Sequence, residues 1–179
     1  MTYYGAPHLA DSFRTVRKNT LAIAEEIPEE KYGFKATPEV MSVGEMLAHL
    51  AVSPTWQIEM HGKKIEYVDF ATFSSRLQQA QLEERALRSK AEIVGALKEN
   101  GEKFAAFVEG LDEATLQGMV SFPPQVGKPK SRFEMLLGAK EHEMHHRGQL
   151  MLLQRLIGQV PHLTRQRQAM RAQAAAGRA

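Results

Sequence analysis

Apolar residues recur at steps of three and four along four long stretches of this 179-residue chain, the spacing that gathers them on one helix face. The first stretch, about Leu9 to Ile27, carries Leu9, Phe13, Val16, Ile23 and Ile27 and is stopped by Pro28. The second opens at Ser42 and closes near Gly62. Its inner face is predicted to hold Val43, Met46, His49, Leu50, Ser53, Gln57 and Met60, and Pro54 is predicted to kink it. The third opens at Ser89 and carries Ile93, Leu97, Phe104, Phe107 and Leu111. The fourth runs from Ser131 to Gly158, where glycine followed by Pro161 makes a stop. Three starts share the form S-x-x-E: Ser42 with Glu45, Ser89 with Glu92, and Ser131 with Glu134. In such a capping box the two side chains satisfy backbone amides that the first helical turn leaves unpaired. The pattern predicts an all-α protein and shows no clear strand.

The connections refine this picture. Pro28–Met41, Gly62–Arg88 and Asp112–Lys130 are all longer than the usual bundle turn. Long links let sequential helices lie parallel. The expected architecture is a four-helix bundle with long crossover connections, with some further helix within Leu77–Arg88. Residues 1–160 are expected to form the bundle and residues 161–179 a basic C-terminal tail.

Composition narrows the function classes. Hydrophobic residues make up 43% and charged residues 25%, so one domain can bury a core of its own. There is no cysteine. Disulfides, thiolate metal sites, iron–sulfur clusters and a cysteine nucleophile are excluded, and a reducing compartment suits the chain. No run of apolar residues approaches a membrane span, and Met1–Asp11 lacks a signal-peptide pattern. A cytoplasmic protein without a membrane partner is expected. The net charge is +2, and four arginines (Arg165, Arg167, Arg171, Arg178) lie after Gln159 with no acid among them. Such a tail can touch nucleic acid or acidic surfaces. The body has no basic stripe interleaved with aromatics, so nucleic acid is not an expected partner.

The histidines carry the chemistry. Three fall within His142-Glu143-Met144-His145-His146. His142 and His146 are four apart and share a helix face, with Met135, Ala139, Gln149 and Leu153 on the same largely apolar stripe. Unpaired polar groups in such a setting cost about 1–3 kcal/mol each, and a divalent metal satisfies both imidazoles together. A third ligand is wanted, and His49, between Met46 and Leu50 on the inner face of the second helix, is the best placed. Three histidines with no acid or thiol would leave a coordination position open for water or substrate. His145 is expected to face elsewhere; His8, His61 and His162 read as surface or linker residues.

The same five residues spell the H-E-x-x-H pattern of zinc peptidases, with Glu143 as the general base. One peptidase class takes its third ligand from a later acid, and no Asp or Glu follows Glu143. Another needs a glycine three residues after the second histidine and a further histidine three beyond; Gln149 and Leu152 stand there. A peptidase is therefore not expected, and Glu143 reads as a surface residue or a support for the ligands.

Two segments, Ser42-Val43-Gly44-Glu45-Met46-Leu47-Ala48-His49-Leu50 and His142-x-x-x-His146-Arg147-Gly148-Gln149-Leu150, resemble the DinB-like (DinB/YfiT) superfamily of metal-dependent four-helix proteins. The resemblance runs from the first helix to Pro161. It implies a bundle with crossover links, pairing as a homodimer, and a three-histidine site for one divalent metal ion, zinc or nickel. His49, His142 and His146 fall on the ligand positions; His142 with His145 is the alternative spacing, which the family pattern does not favour. The resemblance also implies a thiol-dependent S-transferase or isomerase acting on small electrophiles, with a low-molecular-weight thiol as cofactor. A cleft beside the metal would be lined by residues such as Trp56, Gln57, Met60 and Gln149. Two other readings stand beside it. One is a metal-dependent small-molecule hydrolase, with Glu143 or Glu45 as base. The other is a non-catalytic metal-binding bundle in stress response, paired through its first and fourth helices.

Overall fold

A computed structural model describes residues 4–177. The four long helices are α1 (Ala6–Glu26), α2 (Val43–Gly62), α4 (Lys90–Glu109) and α6 (Arg132–Leu156). Between them lie α3 (Phe70–Ala86), the short α5 (Glu113–Gln117) and a two-stranded antiparallel ribbon, β1 (Met119–Val120) with β2 (Lys130–Ser131). The final helix is α7 (His162–Ala176).

Two of the three predicted capping boxes close, and the third keeps its serine half alone. Ser42 Oγ accepts from the Glu45 amide at 3.2 Å, and the Glu45 carboxylate accepts from the Ser42 amide at 2.7 Å. Ser89 and Glu92 close a second box. At α6 the Ser131 hydroxyl accepts from the Glu134 amide at 3.1 Å.

Around the bundle, α1 packs on α4 and α6, and α2 packs on the same two helices. The cyclic order is therefore α1–α4–α2–α6, with α1 and α2 on opposite corners. Directions follow from the cross-links. Arg14 of α1 meets Glu102 and Glu109 of α4 while Glu25 meets Lys98, so these helices run antiparallel. His49 of α2 meets His142 of α6 and His61 meets Arg132, so these are antiparallel too. Asn100 of α4 donates to the Ala51 carbonyl of α2, and Phe107 lies against Gly62, so α2 and α4 are parallel neighbours. A parallel pair needs a return path, and α3 supplies it. This return helix covers more of the link than the Leu77–Arg88 segment expected, because Asp69 caps it early through the Thr72 amide at 2.7 Å.

The core is divided in two by one polar knot. An upper apolar group holds Ile23, Ile27, Leu47, Leu50, Leu97 and Leu150; a lower one holds Leu9, Phe13, Phe104, Val108 and Leu136. Between them Arg17 of α1 is 4% exposed and Glu143 of α6 is 1% exposed. The Arg17 Nε–H donates to Glu143 Oε1 at 2.9 Å and an Nη2–H donates to Oε2 at 2.8 Å. The same guanidinium donates to the Leu97 carbonyl of α4 at 2.7 Å and the Leu50 carbonyl of α2 at 2.9 Å. Pro54 explains the last contact. Proline has no N–H, so the carbonyl four residues earlier, Leu50, loses its helical donor, and Arg17 replaces it.

Three expectations need correction. Glu143 is not a surface residue: it is the most buried charge of α6, because Arg17 neutralises it. His61 is not a surface residue either. It is 1% exposed, held between Arg132 and Gln57. His162 is buried where α7 meets α1, with Nε2 3.1 Å from Asn19 Oδ1. His8 is exposed, as expected. The basic segment is helical as far as Ala176, and Arg165 pairs with Glu26 of α1. Arg178 lies outside the described residues. Among the described residues no helix is long and apolar enough to cross a membrane.

Candidate metal centre

His49 reaches the seam between α2 and α6 because α2 buries its other sides: Met46, Leu47, Ala48 and Leu50 are all core residues. From α6, Glu143 fixes the register. With its carboxylate clamped on the bundle axis, the residue before it, His142, is turned to the edge facing α2, and His146 follows one turn later. The histidines are therefore half-buried beside the core stripe rather than on it.

The three rings converge. Centroids of His49 and His142 lie 4.9 Å apart, His49 and His146 5.2 Å, and His142 and His146 4.7 Å. One ligand nitrogen from each falls within 4.8 Å of the other two. His145, on the outside of α6, is exposed and is not part of this group.

Outer partners orient two of the rings. Glu84 of α3 lies 2.8 Å from His49 Nδ1 and Gln149 Oε1 lies 2.7 Å from His146 Nδ1. Each oxygen accepts an Nδ1–H, which leaves the lone pair on Nε2, facing the cluster. His49 Nε2 then meets His142 Nε2 at 3.0 Å. Two lone pairs so close repel unless a proton or a cation lies between them. Imidazoles sharing a tetrahedral zinc ion would hold their nitrogens about 3.3 Å apart. The donor set thus fits a divalent ion, and a carboxylate or amide behind a ligating histidine is the usual support. Burial first, then the neighbouring His49, His146 and His145, push His142 down to about 4, and burial also lowers His146. Both offer neutral nitrogens at pH 7.

Beside the cluster is a cavity of about 410 Å³ between α2, α3 and α6. Val52, Trp56, Phe73, Leu77, Ala80 and Ala139 form its apolar wall. Of the expected cleft residues, Trp56 and Gln57 line it. Met60 does not: it is fully buried against Val68 and Val120. Gln149 is exposed on the far side, behind His146. Glu84, Phe73 and Leu77 were not foreseen, because α3 buries no residue completely and has no strong apolar stripe.

A family model described as the DinB superfamily matches residues 12–150. The chain belongs to the DinB superfamily. Its relatives include the uncharacterized protein YjoA of Bacillus subtilis (strain 168), 24% identical over 150 residues that make up 84% of this chain and 89% of YjoA. The crystal structure of YjoA, described as a DinB-like protein, superposes with a TM-score of 0.64 at 22% identity, covering 85% of this chain and 92% of that one. A DinB-like protein from Bacillus cereus gives 0.68 at 17% identity, covering 89% and 97%. YfiT of Bacillus subtilis gives 0.67 at 13% identity, covering 89% and 91%; it is described as "a probable metal-dependent hydrolase with an unusual four-helix bundle topology". These likenesses establish the DinB-like four-helix fold for this chain.

Proposed function

We propose that this DinB protein is a divalent-metal enzyme that transfers a low-molecular-weight thiol to a small electrophile, with His49, His142 and His146 as the metal ligands. The observation that carries the reading is a three-histidine cluster opening on an apolar cavity whose one lining carboxylate, Glu84, is already committed, as are the two other candidate bases, Glu143 and Glu45. Glu143 is locked onto Arg17. Glu45 closes the α2 cap and pairs with Lys35 at 2.9 Å, and the Ser42 amide, its first cause, holds its carboxyl below the usual range. Glu84 is spent on His49. A reaction needing a free carboxylate base is poorly served here. A bound divalent ion would supply Lewis acidity and favour the thiolate form of a thiol beside it. The chain does the rest: the Nδ1 partners aim the imidazoles, and the apolar wall keeps water from the electrophile.

The hydrolase reading keeps one support, the description of YfiT. The assay separates the two. Metal-loaded protein is given small electrophiles with and without added low-molecular-weight thiol. Turnover that requires the thiol, and is lost in His142→Ala/His146→Ala, is expected. Turnover without thiol would favour hydrolysis. No turnover in either arm with metal bound would favour a binding protein. We also propose that two copies pair through α6, whose outer edge carries exposed Met144, Leu152 and Leu156; light scattering on the purified chain reads this directly.

A further inference from the structure

The cavity beside the histidines has a far end, and its chemistry is set by residues outside the metal cluster. His49, Ser53 and Gln57 lie on one face of α2 at steps of four, so Gln57 stands about 12 Å along the axis from His49. Gln57 is not free to turn. Arg132 of α6 can only donate hydrogen bonds, and its Nη1 lies 3.1 Å from His61 Nδ1, so that nitrogen must accept. His61 therefore carries its hydrogen on Nε2, which donates to Gln57 Oε1 at 3.0 Å. That bond sets which end of the amide is which: the oxygen is turned to His61, and the Gln57 NH2 has no hydrogen-bond acceptor among the described residues.

The remaining wall carries two charged groups, both already paired, with one donor left over: the Arg76 Nε–H is buried and has no hydrogen-bond partner among the described residues. Arg76 pairs with Glu83 at 3.1 Å and donates to the Thr55 hydroxyl, and Glu84 is held by His49. A charged ligand body would enter a mostly apolar space whose one cation, Arg76, already faces Glu83 and Glu59, so its lost hydration would be poorly compensated. A flat apolar body would find Trp56 and Phe73, whose ring centroids are 5.5 Å apart.

We infer that this cavity binds uncharged small molecules with an aromatic or conjugated body and a hydrogen-bond acceptor, the acceptor being fixed by the Gln57 amide, which the Arg132–His61 pair holds in one orientation. The inference rests on the small-molecule reading of the metal centre and names the class of electrophile that reading would take: a neutral, unsaturated compound whose reactive end faces the histidines while its acceptor end lies against Gln57. Gln57 is here a binding residue, and His61 and Arg132 are positioning residues behind it.

The test uses the chain's single tryptophan, which is Trp56. Its indole N–H gives one NMR signal from a residue of the cavity wall. The full-length protein is titrated with acetophenone and with ethylbenzene, which match in size but differ in the acceptor, and then with benzoate and benzylammonium. Both neutral compounds are expected to shift the signal saturably. Acetophenone should bind about three- to tenfold more tightly, the range of one neutral hydrogen bond. That preference should fall to near one in Gln57→Leu and in Gln57→Glu, which keeps the length of the side chain but loses the NH2. Phe73→Ala, on the surface helix α3, should weaken both compounds alike. In His61→Phe the acetophenone preference should shrink while ethylbenzene affinity holds, a split that general loosening would not give. The inference is overturned if neither neutral compound saturates, if either ion binds more tightly than acetophenone, or if the preference survives both Gln57 variants. Chelator-treated protein is titrated in parallel and should show the same ratio. A failed metal analysis therefore counts against the metal reading, and a failed titration against this one.

Discussion

Arg17 and Glu143 stand 126 residues apart in the chain and share a two-pronged hydrogen-bonded contact at the bundle axis, at 2.9 and 2.8 Å. Neither touches the histidines, yet the pair sets the rotation of α6 that presents His142 and His146. Breaking a buried pair from one side strands the other charge, typically at a cost of about 3–5 kcal/mol. Arg17→Leu and Glu143→Leu should each lower unfolding stability in urea by that order. The double variant should lose clearly less than the two singles added together.

Glu84 reaches the site from α3 and touches only the back of His49. Outer partners of metal-ligating histidines are typically worth about 10–100-fold in affinity. Glu84→Gln should weaken zinc or nickel binding by that factor in competition with a chromophoric chelator, while leaving stoichiometry at one ion. His142→Ala/His146→Ala should abolish stoichiometric binding in elemental analysis.

His61 is buried against Arg132, and burial first, then that cation, push it from 6.5 down to about 4. The unfolded chain takes up a proton near 6.5 that the folded chain refuses until about 4. Its contribution is thus fully present above 6.5 and is lost as pH falls through this window, by up to about 1.4 kcal/mol per pH unit. Metal-free His142 moves in the same direction. Denaturant titrations at pH 7 and pH 5 should show the loss, and His61→Gln should reduce its slope.

Two glycines of α4 predict opposite signs. A Cβ on Gly101 would stand 2.9 Å from Arg17 Cγ, whereas one on Gly95 meets nothing within 4 Å. Gly101→Ala should destabilise by about 1–3 kcal/mol through overpacking. Gly95→Ala should stabilise by about 0.5–1 kcal/mol, since it removes helical glycine at no steric cost. Thermal unfolding of the two variants checks both.

The bundle and its three histidines were legible because caps and helical period are local signals: Ser42, Ser89 and Ser131 announce their helices, and His142 and His146 share a face by spacing alone. Glu143 and His61 were misread because what buries each is remote. Arg17 lies on the edge of the α1 apolar stripe and looks like an ordinary surface cation until α6 is packed on it. Arg132, 71 residues from His61, occupies a first turn that normally faces water. Helix α3 was legible only in its second half, from Leu77 on, because its ordering comes from α2, through the Phe73–Trp56 and Glu84–His49 contacts, and not from an apolar stripe of its own.

The proline of α2 has a consequence for how this sequence can change over time. With no hydrogen on Pro54, the Leu50 carbonyl depends on a cation from another helix, and Arg17 is spent partly on filling that vacancy. Any residue at 54 that brings back an N–H offers Leu50 a nearer donor and sets it in competition with Arg17. Losing Arg17 while keeping the proline leaves the carbonyl stranded in a helix that cannot repair itself. Position 54 is thereby tied to position 17 in one direction: a change that removes the arginine strands nothing only if the proline is replaced and Glu143 is neutralised with it.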